Sequence, residues 1–90
     1  MNRIKVYTKD MCQACKMAKR VLTEGGVSFD EVFVDVRNDT QTVEMLRLAG
    51  FRSFPVVMLD EDYDTGISGF HPPRLKAFIE TVKEEAYHGV

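Results

Sequence analysis

Residues Tyr7–Arg20, with the sequence YTKDMCQACKMAKR, set the organisation of this chain. They contain both of its cysteines, Cys12 and Cys15, at the point where a short apolar strand gives way to a helical pattern. Two intervening residues allow an intramolecular disulfide across the first turn of a helix. The spacing and the position of the two thiols therefore predict redox chemistry.

The two thiols are expected to differ in reactivity. If Cys12 lies at the first turn, the unpaired backbone N–H groups and the positive end of the helix dipole lower the pKa of its thiol. Residues 1–20 act in the same direction, since they carry six cations against the single Asp10. Cys15 lies one turn further on and is expected to be more buried and less ionised. These differences suit Cys12 for attack and Cys15 for resolution.

A zinc site is the main alternative use of the cysteine pair. Zinc is usually held by two such pairs, or by one pair and two histidines, and this chain has one pair. Its histidines, His71 and His88, do not form a cluster with ligand spacing. The sequence leaves open a metal shared between two chains. A structural disulfide is disfavoured, because closing so short a loop restrains the unfolded chain weakly.

The composition limits the classes of protein that fit. The 90 residues suffice for one domain, residues 1–90, with little room for a second core. The chain is 44% hydrophobic and 29% charged with a net charge of −2, which argues against nucleic acid as the main partner. The N-terminus is too charged for a signal peptide, and no apolar run reaches membrane-spanning length. We therefore expect a cytoplasmic protein, monomeric by default, with no membrane partner.

The first half of the chain predicts a strand, a helix and a second strand. Apolar residues alternate around Ile4 and Val6, and helical spacing then runs from Cys12 to a stop at Gly25-Gly26. Residues 27–35 are rich in β-branched and aromatic residues, as is typical of a strand. Such a unit predicts a parallel strand pair. Two methionines of this half are expected to pack in the core or at the rim of the site: Met11 and Met17.

The second half predicts a helix, two antiparallel strands and a last helix. One of residues 38–40 caps the helix, which ends at Gly50, and Pro55 opens the next strand. Residues 60–64 form an acidic turn to which no site is assigned. A short strand follows at 65–68 and, after a loop, an amphipathic helix begins at Arg74, with a frayed tail expected from residue 84.

This order of elements, with Cys-x-x-Cys at the first helix and a proline at the third strand, resembles the thioredoxin-fold superfamily over nearly the whole chain. The resemblance implies an α/β fold, βαβαββα, in which a four-stranded mixed sheet is flanked by three helices. Within the superfamily the sequence is most similar to the NrdH-redoxins, which are glutaredoxin-like proteins. The residues that carry this similarity are Val6–Lys9, Phe54–Val57 and Ser68–Pro72.

The resemblance implies a role for each residue around the cysteines. Cys12 is the attacking thiol and Cys15 the resolving thiol, so that a redox-active disulfide joins the two. Pro55 is a cis-proline, which leaves the main chain of Phe54 free to pair with a substrate peptide. Lys9 lies where glutaredoxins place a cation close to the thiolate.

The loop after the last strand carries the partner surface in this comparison. Ser68, Gly69 and Phe70 are expected to shape it. The loop lacks the acidic residue with which glutaredoxins hold the amino group of glutathione, so glutathione is expected to bind poorly. Gln13-Ala14 and His71 depart from the usual NrdH-redoxin residues, and they leave the redox potential and the choice of partner open.

The resemblance also implies partners. NrdH-redoxins reduce class Ib ribonucleotide reductase and are themselves reduced by thioredoxin reductase, and they carry no bound cofactor or metal. We therefore expect a dithiol–disulfide oxidoreductase with these partners. Two alternatives are a glutathione-dependent glutaredoxin and a non-catalytic metal-binding module that uses the cysteine pair.

Overall fold

A computed structural model describes the backbone of residues 2–88 and the side chains of residues 2–84. The chain alternates strands and helices in the predicted order βαβαββα. The elements are β1 (Ile4–Thr8), α1 (Gln13–Glu24), β2 (Phe29–Phe33), α2 (Thr40–Leu48), β3 (Val56–Leu59), β4 (Asp62–Ser68) and α3 (Pro72–His88).

The four strands form one mixed sheet in the order β2-β1-β3-β4. β1 runs parallel to β2 and antiparallel to β3, with Val6 opposite both Glu31 and Val57. β3 and β4 form an antiparallel hairpin. The predicted thioredoxin-like fold, with its parallel first pair and antiparallel last pair, is confirmed.

Helices α1 and α3 cover one face of the sheet. Ala18 and Leu22 of α1 and Leu75 of α3 are each 0% exposed, and they pack against the β1 residues Ile4 and Val6 in one apolar cluster. The helical period places these α1 residues on a single face, as the sequence pattern predicts. This cluster fixes the direction in which α1 leaves the sheet.

Helix α2 covers the opposite face with a smaller apolar cluster. Leu46 is its buried residue, and it packs with Tyr7, Val34, Val56 and Met58. Two further apolar residues of α2 point outward: Met45 is 42% and Leu48 76% exposed. The sheet is therefore covered on both faces, and the end of β1 leads directly to the cysteines.

The predicted bounds of two strands, β2 and β4, need correction. β2 is shorter than residues 27–35, although Val27 and Val34 beside it are buried. β4 begins at Asp62 rather than residue 65, because Asp60 and Glu61 both have positive φ angles and make a tight two-residue hairpin turn.

The last helix begins at Pro72 rather than Arg74. Proline is well tolerated in the first turn of a helix, where the backbone N–H has no helical partner. The helix extends to His88. Fraying of the tail from residue 84 stays a prediction, and residues 89–90 lie outside the described part of the chain. Within residues 2–88, no helix is long and apolar enough to cross a membrane.

The two methionines beside the cysteines do not pack in the core. Met17 is 41% exposed on the outer side of α1, and Met11 is 94% exposed in the loop before it. Met11 does lie at the rim of the cysteine site, which was the other part of the prediction.

Leu22 is the residue with which we test the packing of α1. Leu22→Ala is expected to lower the free energy of unfolding by about 2–5 kcal/mol, since it leaves a cavity in a fully buried cluster. The matched control Leu48→Ala, at a position 76% exposed, should change it by less than about 0.5 kcal/mol. Urea unfolding of the oxidised protein measures both, and equal losses would contradict this description of the core.

Candidate redox site

Cys12 is the N-cap residue of α1. Its backbone is extended, with φ −115° and ψ 100°, and its carbonyl accepts the hydrogen bond of Lys16 N at 3.3 Å. Cys15 N donates to Cys12 Sγ at 3.1 Å, so the sulfur occupies the place of a capping oxygen. A backbone N–H and a helix N-terminus directed at this sulfur stabilise negative charge on it when the disulfide is broken.

Cys12 and Cys15 are joined by a disulfide, with their Cα atoms 5.2 Å apart. This separation lies within the ordinary range for a disulfide. Cys12 is 7% exposed and Cys15 is 2% exposed. The two sulfurs are therefore unequal in the direction that the sequence predicts, with Cys12 the more accessible.

The disulfide borders an open cavity of about 300 Å³ between the start of α1 and the end of β2. Its walls come from the loop before α1, the first two turns of α1 and β2. The lining residues are Thr8, Lys9, Asp10, Met11, Cys12, Cys15, Lys16, Lys19, Glu31 and Phe33. A sulfur that approaches the disulfide from this side meets polar and apolar groups together.

A hydrogen-bonded group of three side chains lies in this cavity. Glu31 Oε2 accepts from the buried Thr8 Oγ1 at 2.8 Å and from Lys19 Nζ at 3.0 Å. The Thr8 hydrogen bond, followed by that of Lys19, holds the pKa of Glu31 below its ordinary value. Glu31 is therefore an anion beside the disulfide, and the sequence reasoning did not find it.

The cations of residues 1–20 are largely paired in the structure. Arg3 pairs with Asp60 at 2.7 Å, Lys5 with Glu61, and Lys19 with Glu31. The predicted basic surface is thus weaker than the local sequence indicates. Two cations without a salt bridge to the described residues line the cavity: Lys9 and Lys16.

Lys9 connects the cysteine loop to the segment before β3. Its Nζ lies 5.9 Å from the centre of the Phe54 ring. The Phe54–Pro55 peptide bond is cis, as the resemblance implies. The main chain of Phe54 has no hydrogen-bond partner within residues 2–88, so its N–H and C=O remain available.

Ser68 and Gly69 hold this segment in place. Ser68 Oγ accepts from Ser53 N at 2.9 Å and from Arg52 N at 3.2 Å, and donates to Ser53 O at 2.8 Å. Gly69 N donates to Pro55 O at 2.9 Å. Gly69 has φ +86°, a conformation that favours glycine. Ser68 and Gly69 therefore position the backbone around Pro55.

Phe70 lies apart from the other predicted site residues. It packs against the apolar cluster of α1 and α3, and borders a different cavity with Val21, Gly25 and Ile79. His71 is exposed, and its Nε2 lies 3.0 Å from Ser68 O. Contacts thus link Lys9, which lines the disulfide cavity, to Phe54, and link Ser68 and Gly69 to the segment around Pro55, whereas Phe70 lies on the α1–α3 side.

The fold and the disulfide together define the class of protein to which this chain belongs. A covered four-stranded mixed sheet with a Cys-x-x-Cys disulfide at the N-terminus of its first helix is the arrangement of the thioredoxin-fold dithiol proteins. Among the side chains of residues 2–84, no three or more His, Cys, Asp or Glu residues are grouped so that they could hold a metal ion.

Comparison with known proteins narrows this class. The glutaredoxin family profile matches residues 4–63. The glutaredoxin-like protein NrdH of Lactococcus lactis is 39% identical over 72 residues, which cover 80% of this chain and 93% of the relative. Glutaredoxin 3 of Escherichia coli is 33% identical over 66 residues, covering 73% of this chain and 78% of that protein.

A solved structure agrees with the sequence comparison. NrdH-redoxin from Escherichia coli superposes with a TM-score of 0.68 at 32% identity, covering 83% of this chain and 92% of that chain. The chain belongs to the glutaredoxin family, and within it to the NrdH-like proteins. It is a thiol–disulfide oxidoreductase.

Glu31 gives the site a pH-dependent contribution to stability. Because its folded-state pKa is lowered, the unfolded chain binds the proton more tightly, and the contribution is complete above the unfolded pKa of about 4.3. It is lost as the pH falls through the folded-state value. Glu31→Gln should therefore be less stable than the wild type at pH 7, and the difference should shrink below about pH 4.

The control compares Thr8→Val with the double variant Thr8→Val/Glu31→Gln. The Thr8→Val substitution removes the hydrogen bond that is the main cause of the lowered pKa of Glu31. The pH dependence of the Glu31→Gln effect should be smaller there. An effect of equal size at pH 7 and pH 3 would contradict the assigned role of Glu31. Urea unfolding of the oxidised proteins across this pH range gives the measurement.

Proposed function

We propose that this protein is an NrdH-redoxin-like electron donor that reduces disulfides of partner proteins, with class Ib ribonucleotide reductase as the client and thioredoxin reductase as the source of electrons. The observation that carries the proposal is the disulfide at the start of α1, with Cys15 N donating to Cys12 Sγ. The similarity to NrdH proteins over most of their length supports the choice of partners.

The reaction begins at Cys12, the more accessible sulfur. In the reduced protein its thiolate attacks one sulfur of the client disulfide, forming a mixed disulfide and releasing the other client sulfur as a thiolate, which takes up a proton. Cys15 then loses its proton and attacks Cys12 Sγ. The second client thiolate leaves and is protonated. Two electrons have passed to the client, and Cys12 and Cys15 end as a disulfide.

The surroundings of the disulfide support this order of events. Cys15 is almost completely buried, so a sulfur of a partner protein reaches Cys12 first. The N–H of Cys15 donates to the Cys12 sulfur and stabilises a thiolate there, both before attack and when Cys12 acts as a leaving group. Lys9, which lines the same cavity, adds a positive charge nearby.

The client polypeptide is proposed to pair with the main chain of Phe54. Those N–H and C=O groups have no partner within residues 2–88, and Ser68 and Gly69 hold the segment beside them through hydrogen bonds. This pairing would orient the client sulfur toward Cys12. Phe70 is proposed to contribute to partner contact from the α1–α3 side.

Electrons are proposed to come from a flavin-containing thioredoxin reductase rather than from glutathione. Between Gly69 and Pro72 the chain carries Phe70 and His71 and no carboxylate that could hold the amino group of glutathione. The proposal includes a cytoplasmic location, a monomeric state, and no bound cofactor or metal. The solved NrdH-redoxin from Escherichia coli is described as having a thioredoxin-like activity profile, which agrees with this direction of electron flow.

The different roles of the two cysteines can be tested by trapping. Cys15→Ser should accumulate a mixed disulfide with the client through Cys12, because the resolving attack is lost. Cys12→Ser, the matched control, should form little, since Cys15 is buried. Non-reducing gels and mass spectrometry of the adduct measure both.

A mixed disulfide in Cys12→Ser but not in Cys15→Ser would reverse the assigned roles. Efficient glutathione-dependent turnover by Cys15→Ser would instead support a glutaredoxin, which needs one cysteine for deglutathionylation. Stoichiometric zinc in a dimer of the purified protein would support the metal-binding alternative.

A further inference from the structure

Met11 is the most exposed large apolar side chain in the described part of the chain. It is 94% exposed, whereas the other six exposed large apolar side chains range from 37% to 76%. It directly precedes Cys12 and has φ +52°, in the left-handed region that residues other than glycine rarely adopt. A large apolar side chain is thus held in solvent beside the attacking cysteine.

Met11 also belongs to two adjoining cavities. One contains the disulfide, and the other lies against residues 33–37, where Phe33 is 61% and Val36 is 39% exposed. Exposed apolar side chains of Met11, Phe33 and Val36 therefore lie among charged residues around the two cavities, from the disulfide to the end of β2. A protein whose sulfur reaches Cys12 must approach this surface. Methionine is well suited to contact different partners, because its side chain is flexible and polarisable.

Met11 is also exposed to oxidants when Cys12 and Cys15 form a disulfide. Cys12 and Cys15 are bonded to each other and nearly buried, so neither offers a thiolate to an oxidant. Met11 is then the most exposed sulfur-containing residue among residues 2–84. Hydrogen peroxide converts a thioether to a sulfoxide: the O–O bond breaks, an S–O bond forms, and water is released, with the sulfur oxidised by two electrons.

We propose that Met11 is a modification site: peroxide oxidises it ahead of the other described methionines, and the sulfoxide slows disulfide exchange between Cys12 and protein clients. The second half rests on the proposed function, since it requires that protein disulfides are substrates. A sulfoxide replaces an apolar contact with a polar group, and methionine sulfoxide reductases can reverse the change. The electron relay would thereby be reversibly weakened by the oxidant.

The chain contains its own controls for the oxidation step. Met17 and Met45 are 41% and 42% exposed, and Met58 is 0% exposed in the sheet. The oxidised protein is treated with hydrogen peroxide, and the sulfoxide content of each methionine-containing peptide is followed by mass spectrometry. The expected order is Met11 first, Met17 and Met45 more slowly, and Met58 last. Oxidation of Met17 or Met45 as fast as that of Met11 would overturn the proposal.

The functional step is measured without any reductase. Treated and untreated proteins are reduced with dithiothreitol, which restores the cysteines but leaves the sulfoxide, and are freed of reductant. Each is mixed with insulin, as a protein disulfide, or with 2-hydroxyethyl disulfide, as a small one. Treatment should slow the reaction of the wild type with insulin about fivefold, as expected when an apolar contact worth about 1 kcal/mol is lost, and should leave the small disulfide unaffected.

Two variants distinguish the effect of oxidising Met11 from that of oxidising the other methionines. Each treated variant is compared with an untreated sample of the same variant. Met11→Leu cannot form the sulfoxide and should show no further loss on treatment. Met17→Leu should stay as sensitive as the wild type. Equal losses in wild type and Met11→Leu, an unchanged insulin rate, or equal losses with both disulfides would overturn the proposal. If the untreated wild type fails to reduce insulin, the proposed function is wrong, and so is the proposed effect of the sulfoxide on disulfide exchange. The order in which the methionines are oxidised is measured independently of that result.

Discussion

The hydrogen bond from Cys15 N to Cys12 Sγ is the interaction on which the site depends. It forms because α1 begins at Gln13 and leaves the sulfur of its N-cap residue opposite an otherwise unpaired N–H. The core fixes that geometry: β1 is buried up to Thr8, and α1 is anchored by Ala18 and Leu22. The reactivity of Cys12 and Cys15 therefore depends on how α1 packs in the domain.

The opposite side of the site is built in a different way. Residues 52–55 lie outside the helices and strands, and their position depends on hydrogen bonds with Ser68, at the end of β4, and with Gly69 directly after it. These hydrogen bonds pair backbone groups of Arg52, Ser53 and Pro55, and leave the main chain of Phe54 without a partner among the described residues. The site thus combines a helix N-terminus that carries the reactive sulfur with a segment before β3 whose backbone groups are available, and Lys9 contacts the Phe54 ring between them. This combination suits a protein that binds extended polypeptide segments and exchanges disulfides with them.

Much of the fold and part of the site could be predicted from local sequence. The other site features depend on contacts between residues that are far apart in the chain. The caps, the glycine stops and the apolar periods act within a few residues, which is why the order of the elements and the place of the cysteine pair followed from them. The four-stranded sheet with three helices was implied by the resemblance to the thioredoxin-fold superfamily. Glu31 was missed because Thr8 comes close to it only through the pairing of β1 with β2, and Lys19 reaches it from α1. Met11 was assigned in part to the core because apolar spacing carries no information about a left-handed φ before a helix.

We propose that this glutaredoxin-family protein passes electrons from thioredoxin reductase to protein disulfides. The most direct measurement is the rate at which the wild type reduces a protein disulfide with NADPH and thioredoxin reductase, compared with NADPH, glutathione reductase and glutathione. The account predicts rapid turnover with thioredoxin reductase and little with glutathione. Rapid turnover with glutathione and little with thioredoxin reductase would contradict it, and would make the protein a glutaredoxin with an unusual glutathione site.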